Sequence, residues 1–214
     1  MSSESLQRNR LITLYPIALQ GESMRRRDFL TAPVNKSAQD DLSWARYYTN
    51  AVLTPHAGGK VRFYDDLIRG KIALVNFLYT SCQGICPGVT ANLARVQRGL
   101  SGRIGRDTFI YSITLKPEED DPIALRHYAD LHGVVAPGWL LLTGDSDEIE
   151  TIRYRLFGWN SPDLDRDIEQ HTGMLHLVND SIKRTSGVPA LASDRQILQY
   201  VSWLDPVSTR SRSR

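Results

Sequence analysis

The sequence predicts an α/β fold in which a central mixed β-sheet is flanked by helices in three layers. Three observations support this. From residue 50 onward, apolar runs of strand length alternate with segments whose apolar residues recur every three or four positions. One run, Ile72-Ala73-Leu74-Val75-Asn76-Phe77-Leu78-Tyr79, is apolar enough to be covered on both faces, as a central strand is. Capping and stop residues stand where the period changes, and placing helices on both sides of a sheet buries runs of this kind.

The elements follow in order. Val61-Arg62-Phe63-Tyr64, after Gly58-Gly59, reads as one arm of a hairpin, and residues 72–79 as the central strand. Pro87 suits a first helical turn, and Val89, Leu93, Val96 and Leu100 form a helical stripe that stops near Gly99 and Gly102. Residues 109–115 make a second long strand. Asp121-Pro122 starts a helix carrying Ile123, Leu125, Tyr128 and Leu131 and closing at Gly133, and 139–143 is a third strand. Ser146-Asp147-Glu148 caps a helix through Phe157, a polar loop spans 159–170, and 174–178 returns as a strand. Ser193-Asp194 opens a last helix towards Trp203.

Composition narrows the function. Of 214 residues, 41% are hydrophobic and 23% charged, which suits one folded domain, expected over 48–205. The 26 basic and 24 acidic residues leave a net charge of +2, too weak a field to argue for a nucleic acid partner. No run approaches about 18 apolar residues, so no spanning helix is expected. Residues 1–47 read as a poorly ordered leader with a degenerate twin-arginine-like motif, Arg26-Arg27-Asp28-Phe29-Leu30, and 206–214 as a basic tail. The stretch after the twin arginines is polar, whereas an export signal carries about 7 to 15 apolar residues there.

The two cysteines, Cys82 and Cys86, follow the central strand immediately. If a helix begins at Cys82, the i, i+4 spacing turns both sulfurs to one side of its first turn, where the helix N-terminus favours thiolate. Thiolates serve two chemistries, attack on disulfides and metal binding. The three intervening residues, Gln83, Gly84 and Ile85, differ from the two of a thioredoxin-type redox motif, and the second ligand cluster of a structural zinc site is lacking. A soft-metal site of low coordination remains, and two sulfurs with one imidazole suit Cu(I) and Cu(II). Of the five histidines, His127 and His132 belong to a helix, His56 to a turn, and His176 to a strand position expected to face solvent or be partly covered. His171 stands at a loop-to-strand boundary, where a loop can lean over the sheet edge. Met174 is an apolar filler at the start of its strand, with a weak thioether contact to copper as the alternative.

The run Asn76-Phe77-Leu78-Tyr79-Thr80-Ser81-Cys82-Gln83-Gly84-Ile85-Cys86-Pro87, taken with His171-Thr172-Gly173-Met174, resembles the SCO/SenC family of copper-binding assembly proteins for cytochrome c oxidase. The resemblance covers roughly residues 50 to 203. It implies a thioredoxin-like fold with Cys82, Cys86 and His171 as ligands of a copper ion. It also implies a metallochaperone rather than an enzyme, delivering copper to, or reducing the cysteines of, the dinuclear copper site of oxidase subunit II or another copper-receiving client. The implied location is the periplasm or cell envelope, with peripheral membrane association open and a cytoplasmic location as the alternative. Where the family commonly carries Asp-Pro after the second strand, this chain has Lys116-Pro117, an amine in place of a carboxylate. The reading from another class is a thiol-disulfide oxidoreductase in which Cys82 attacks and Cys86 resolves, with no need of His171.

Overall fold

All seven residues of the strand Ile72–Leu78 are buried, so it must lie between two layers, and every other element is placed relative to it. The structure is a computed structural model and describes residues 36–158 and 173–206. Its strands are β1 (Val52–Pro55), β2 (Val61–Arg62), β3 (Ile72–Leu78), β4 (Thr108–Thr114), β5 (Trp139–Gly144), β6 (Met174–Asn179) and β7 (Arg184–Pro189). Its helices are α1 (Lys36–Tyr48), α2 (Ile85–Gly99), α3 (Pro122–His132), α4 (Ser146–Phe157) and α5 (Asp194–Trp203). Among the described residues the strands form one sheet in the order β2-β1-β5-β4-β3-β6-β7. β3, β4 and β5 run parallel, while β1 and β6 join them antiparallel, which makes the sheet mixed as expected.

The pleat sorts β3 between two cores. Ile72, Leu74 and Leu78 face a core shared with α2, α3 and α5, through Leu93, Val96, Leu125, Tyr128, Ile197 and Val201. Ala73, Val75 and Phe77 face the opposite core, with Tyr48 of α1, Phe63 and Leu67 of a π-helical turn, and Ile149 and Ile152 of α4. Because β3, β4 and β5 are parallel, the loops to α2, α3 and α4 all leave the same edge of the sheet.

The helix signals act as read, with one shift. Asp121 caps α3 by accepting from the N–H groups of Ile123 and Ala124 at 2.8 and 2.7 Å, and Gly133 ends it with φ 70°. Ser193 and Gln196 form a capping box on α5. α4 is capped by Asp145, one residue before the expected Ser146.

Two expectations are corrected, and one strand is added. The leader was expected to extend to residue 47, but α1 occupies Lys36–Tyr48 and sets Trp44 and Tyr48 onto the core. The reason is that its few aromatic residues have value only once the sheet face they cover exists. The twin-arginine motif lies outside the described residues. The hairpin forms between β1 and β2, but Phe63 and Tyr64 leave it for the π-helical turn Phe63–Ile68, which buries both rings. Strand β7 carries no apolar alternation in its sequence, because it is an edge strand with one wholly buried residue, Val188.

Candidate functional site

Between the end of β3 and the start of α2 the chain turns tightly, with the Cys82 N–H donating to the Tyr79 carbonyl at 3.2 Å. Asp120, fully buried in the loop after β4, holds this turn from below. It accepts from the Thr80 N–H at 3.1 Å and from the hydroxyls of Thr80 and Thr114. The Leu115 N–H donates to the Leu78 carbonyl at 2.8 Å, tying the ends of the two strands together.

The sulfurs meet, but not as two residues on one helical face. Gly84 is the N-cap of α2, so Cys86 is helical and Cys82 precedes the helix. The turn folds Cys82 back over the helix N-terminus. No side chain of Gly84 caps α2, and the Cys82 sulfur fills that role by accepting from the backbone N–H groups of Gly84 and Cys86. It also accepts from the Cys86 thiol and the Tyr79 hydroxyl. Burial pushes the Cys82 thiol up, and these hydrogen bonds outweigh it, leaving Cys82 below the ordinary thiol range. Cys86 moves up, first through burial and then through its hydrogen bond to Cys82. Both are free cysteines.

Behind the pair, the Thr90 hydroxyl donates to the Cys86 carbonyl at 2.9 Å and meets the Tyr128 hydroxyl at 3.0 Å. In front of Cys86 a cavity of about 10 Å³ opens towards the start of β6, with Asn76, Val89, Gly173 and Met174 on its wall. Gly173 packs so closely on α2 that a Cβ there would stand 2.5 Å from Ile85 Cδ1. Met174 is half-buried and pairs with Pro189 as the first residue of β6, in keeping with an apolar filler.

His171 and the loop 159–170 lie outside the described residues, and Gly173 is two residues further along the chain. Among the described residues no third His, Cys, Asp or Glu completes a metal-holding group with the two sulfurs. His127 is exposed on α3, and the His132 ring rests 4.2 Å from that of Tyr128. His56 is buried, its Nδ1 accepting from the Leu141 N–H at 3.1 Å.

His176 corrects an expectation. It is 7% exposed rather than solvent-facing, with Nε2 3.0 Å from the Tyr48 hydroxyl and the other ring nitrogen bonded to the Leu156 carbonyl. The cause is α1, which covers the face of β6 that a disordered leader would have left open. Lys116 lies with Nζ 4.8 Å above the Tyr79 ring and 3.3 Å from Glu119. Sequence reasoning missed Asp120, since the acidic run 118–121 reads as a solvated face. The only hint was a pair of threonines at strand ends, Thr80 just beyond β3 and Thr114 closing β4.

A family model described as SCO1/SenC matches residues 48–204. This chain belongs to the SCO1/SenC family. As a member it is 33% identical over 93 residues to the SCO1 protein homolog of Bacillus subtilis, over 43% of this chain and 48% of that protein. The chain thus spans about half the length of that curated relative. Its backbone matches BsSco, described as a member of the Sco family of cytochrome c oxidase assembly proteins with a disulfide switch. The TM-score is 0.60 at 25% identity, covering 73% of this chain and 92% of that one. It also shares its fold with yeast Sco1 with copper bound, at a TM-score of 0.55 and 21% identity over 77% of this chain and 93% of the other. The thioredoxin-like architecture expected from the sequence is the one these SCO1/SenC relatives have.

Proposed function

We propose that this chain is a copper metallochaperone in which the sulfurs of Cys82 and Cys86 and the imidazole of His171 hold one copper ion as cargo. The observation that carries this reading is the meeting of the two sulfurs beside the start of β6. The two sulfurs are in direct hydrogen-bond contact, and Gly173, two residues after His171, packs on Ile85 beside Cys86. His171 is two residues from Gly173 in the sequence, and consecutive Cα atoms are about 3.8 Å apart. Two thiolates select Cu(I), and a nitrogen donor extends the set to Cu(II). BsSco, which this chain resembles, is described as a member of the Sco family of cytochrome c oxidase assembly proteins, and yeast Sco1, which shares its fold, is known with copper bound. We therefore take the dinuclear copper site of oxidase subunit II as the client, and the cell envelope as the location. No helix among the described residues is long and apolar enough to cross a membrane.

Titration of single variants with each ion tests the proposal. Cys82→Ala and Cys86→Ala should abolish tight Cu(I) binding, and His171→Ala should mainly weaken Cu(II). Unchanged Cu(I) stoichiometry in Cys82→Ala refutes it.

A second reading, reduction of a client's disulfide, is favoured by the opposite displacement of the two thiols. The lowered, slightly more exposed Cys82 is the group to attack, and the raised Cys86 keeps its proton until the second step. Cys82 thiolate would break the client S–S bond and form a mixed disulfide. Cys86, on losing its proton, would then displace the client sulfur, leaving the client as thiols and the Cys82–Cys86 pair oxidised. Turnover that survives His171→Ala but not Cys82→Ala supports this reading over copper transfer.

A further inference from the structure

Asp120 is a fully buried carboxylate that neither reading uses. Its partners are divided between two elements. Oδ2 accepts from the Thr80 N–H and the Thr114 hydroxyl, and Oδ1 accepts from the Thr80 hydroxyl. Thr114 closes β4 and also accepts from the Lys116 N–H at 3.0 Å, so it belongs to the sheet. Thr80 lies inside the turn that the Cys82 N–H closes on Tyr79. Asp120 therefore fastens the cysteine turn to the rigid end of the sheet at two points of one residue, its backbone and its side chain. The neighbouring bond from the Ser81 hydroxyl to Glu119, at 3.3 Å between exposed groups, is a looser copy of the same attachment.

We infer that Asp120 is a positioning residue for Cys82, acting through Thr80 to hold the Cys82 sulfur over the N-terminus of α2 and against Cys86. This rests on the reading of Cys82 and Cys86 as the working pair. A cation bound by two sulfurs is sensitive to the groups that orient them, and loss of such an outer partner costs about 10- to 100-fold in metal affinity. The effect acts through geometry. In Asp120→Asn the amide oxygen can accept from the Thr80 N–H and the Thr114 hydroxyl, and the amide N–H₂ can donate to the Thr80 hydroxyl, which reverses its role.

The test compares four variants of the full chain, Thr80→Val, Asp120→Ala, Asp120→Asn and Thr114→Val, in Cu(I) affinity by chelator competition and in thermal stability. A second readout is equilibration with glutathione disulfide, in which the two protein thiols give up two electrons and two protons as the glutathione disulfide becomes two thiols. Thr80→Val should lose at least tenfold in Cu(I) affinity and shift the thiol-disulfide equilibrium about tenfold towards the disulfide, with a loss of stability like that of Thr114→Val, since each removes one hydroxyl from the buried carboxylate. Asp120→Ala should match it in both readouts and also be less stable. Asp120→Asn should stay within about twofold of wild type, and Thr114→Val should lose stability while keeping Cu(I) affinity. A wild-type chain that binds Cu(I), with Thr80→Val indistinguishable from it, overturns the role of Asp120 alone. Equal losses of affinity in Thr80→Val and Thr114→Val, or no rescue by Asn, overturn it as well. A wild-type chain that neither binds Cu(I) nor forms the disulfide overturns the site reading too.

Discussion

On one face of the sheet, beyond the end of β3, two sulfurs turn towards each other beside a small cavity. On the other face His176, in mid-strand, has both ring nitrogens engaged, one by Tyr48 and one by Leu156. Both places bury groups able to bind metal or take part in proton chemistry. They differ in what surrounds the donors. Tyr48 and Leu156 hold both nitrogens of His176, and the Tyr48 and Phe157 rings pack at 5.9 and 6.2 Å, so nothing of it is left for an ion. Cys82 accepts its bonds at the carboxyl edge of the sheet, where the loops of three parallel strands emerge. A donor type in a sequence therefore becomes a candidate site where the fold sets it beside an opening, as Cys86 stands beside the small cavity at the start of β6, whereas His176 is a satisfied core histidine.

The largest expected effect separates the two faces directly. Cys82→Ala should remove Cu(I) binding and cost only about 0.5 to 2 kcal/mol, through the lost cap of α2, whereas His176→Ala should leave Cu(I) affinity within about twofold and cost roughly 2 to 4 kcal/mol, through a cavity and an orphaned Tyr48 hydroxyl. Urea unfolding and chelator competition on both variants check this, and loss of copper binding in His176→Ala would break the contrast.

Acid sharpens it next. Burial pushes His176 down to about 4 from an ordinary value of 6.5. Below pH 6.5 the unfolded chain takes up a proton that the folded one refuses until about pH 4, so stability is full above this window and falls as pH drops through it, by about 3 kcal/mol. Unfolding free energy measured across that range should show the loss in wild type and a flatter profile in His176→Gln.

Tyr48→Phe is expected to cost about 1 to 3 kcal/mol by leaving Nε2 unpaired, with the copper site untouched. The smallest change is Gly173→Ala. Its new methyl meets the flexible tip of Ile85 at 2.5 Å, so stability should fall by less than about 1 kcal/mol, while on the proposed ligand set Cu(II) affinity falls severalfold as Gly173 shifts relative to Ile85. An unchanged Cu(II) affinity would place the approach of His171 elsewhere.

Much of this was legible from residues alone. The parallel strands, the caps at Asp121 and Ser193 and the stop at Gly133 are written in signals a few residues wide, and they appear where expected. The cysteine pair was legible as a pair for the same reason. Its geometry was not, since the helix starts at Ile85 and the sulfurs meet through a turn whose tether, Asp120, is 40 residues from Thr80.

Local period, caps and the spacing of two cysteines thus settle the α/β order, the central strand and the element that carries the chemistry, because each of those signals acts over one or two turns of chain. Long-range packing settles which polar groups are buried and which remain usable. Tyr48 and His176 are 128 residues apart, and nothing in the covered strand records what will cover it. From the sequence His176 is a strand residue facing solvent or partly covered, and it is burial against the distant Tyr48 of α1 that makes it a core residue instead.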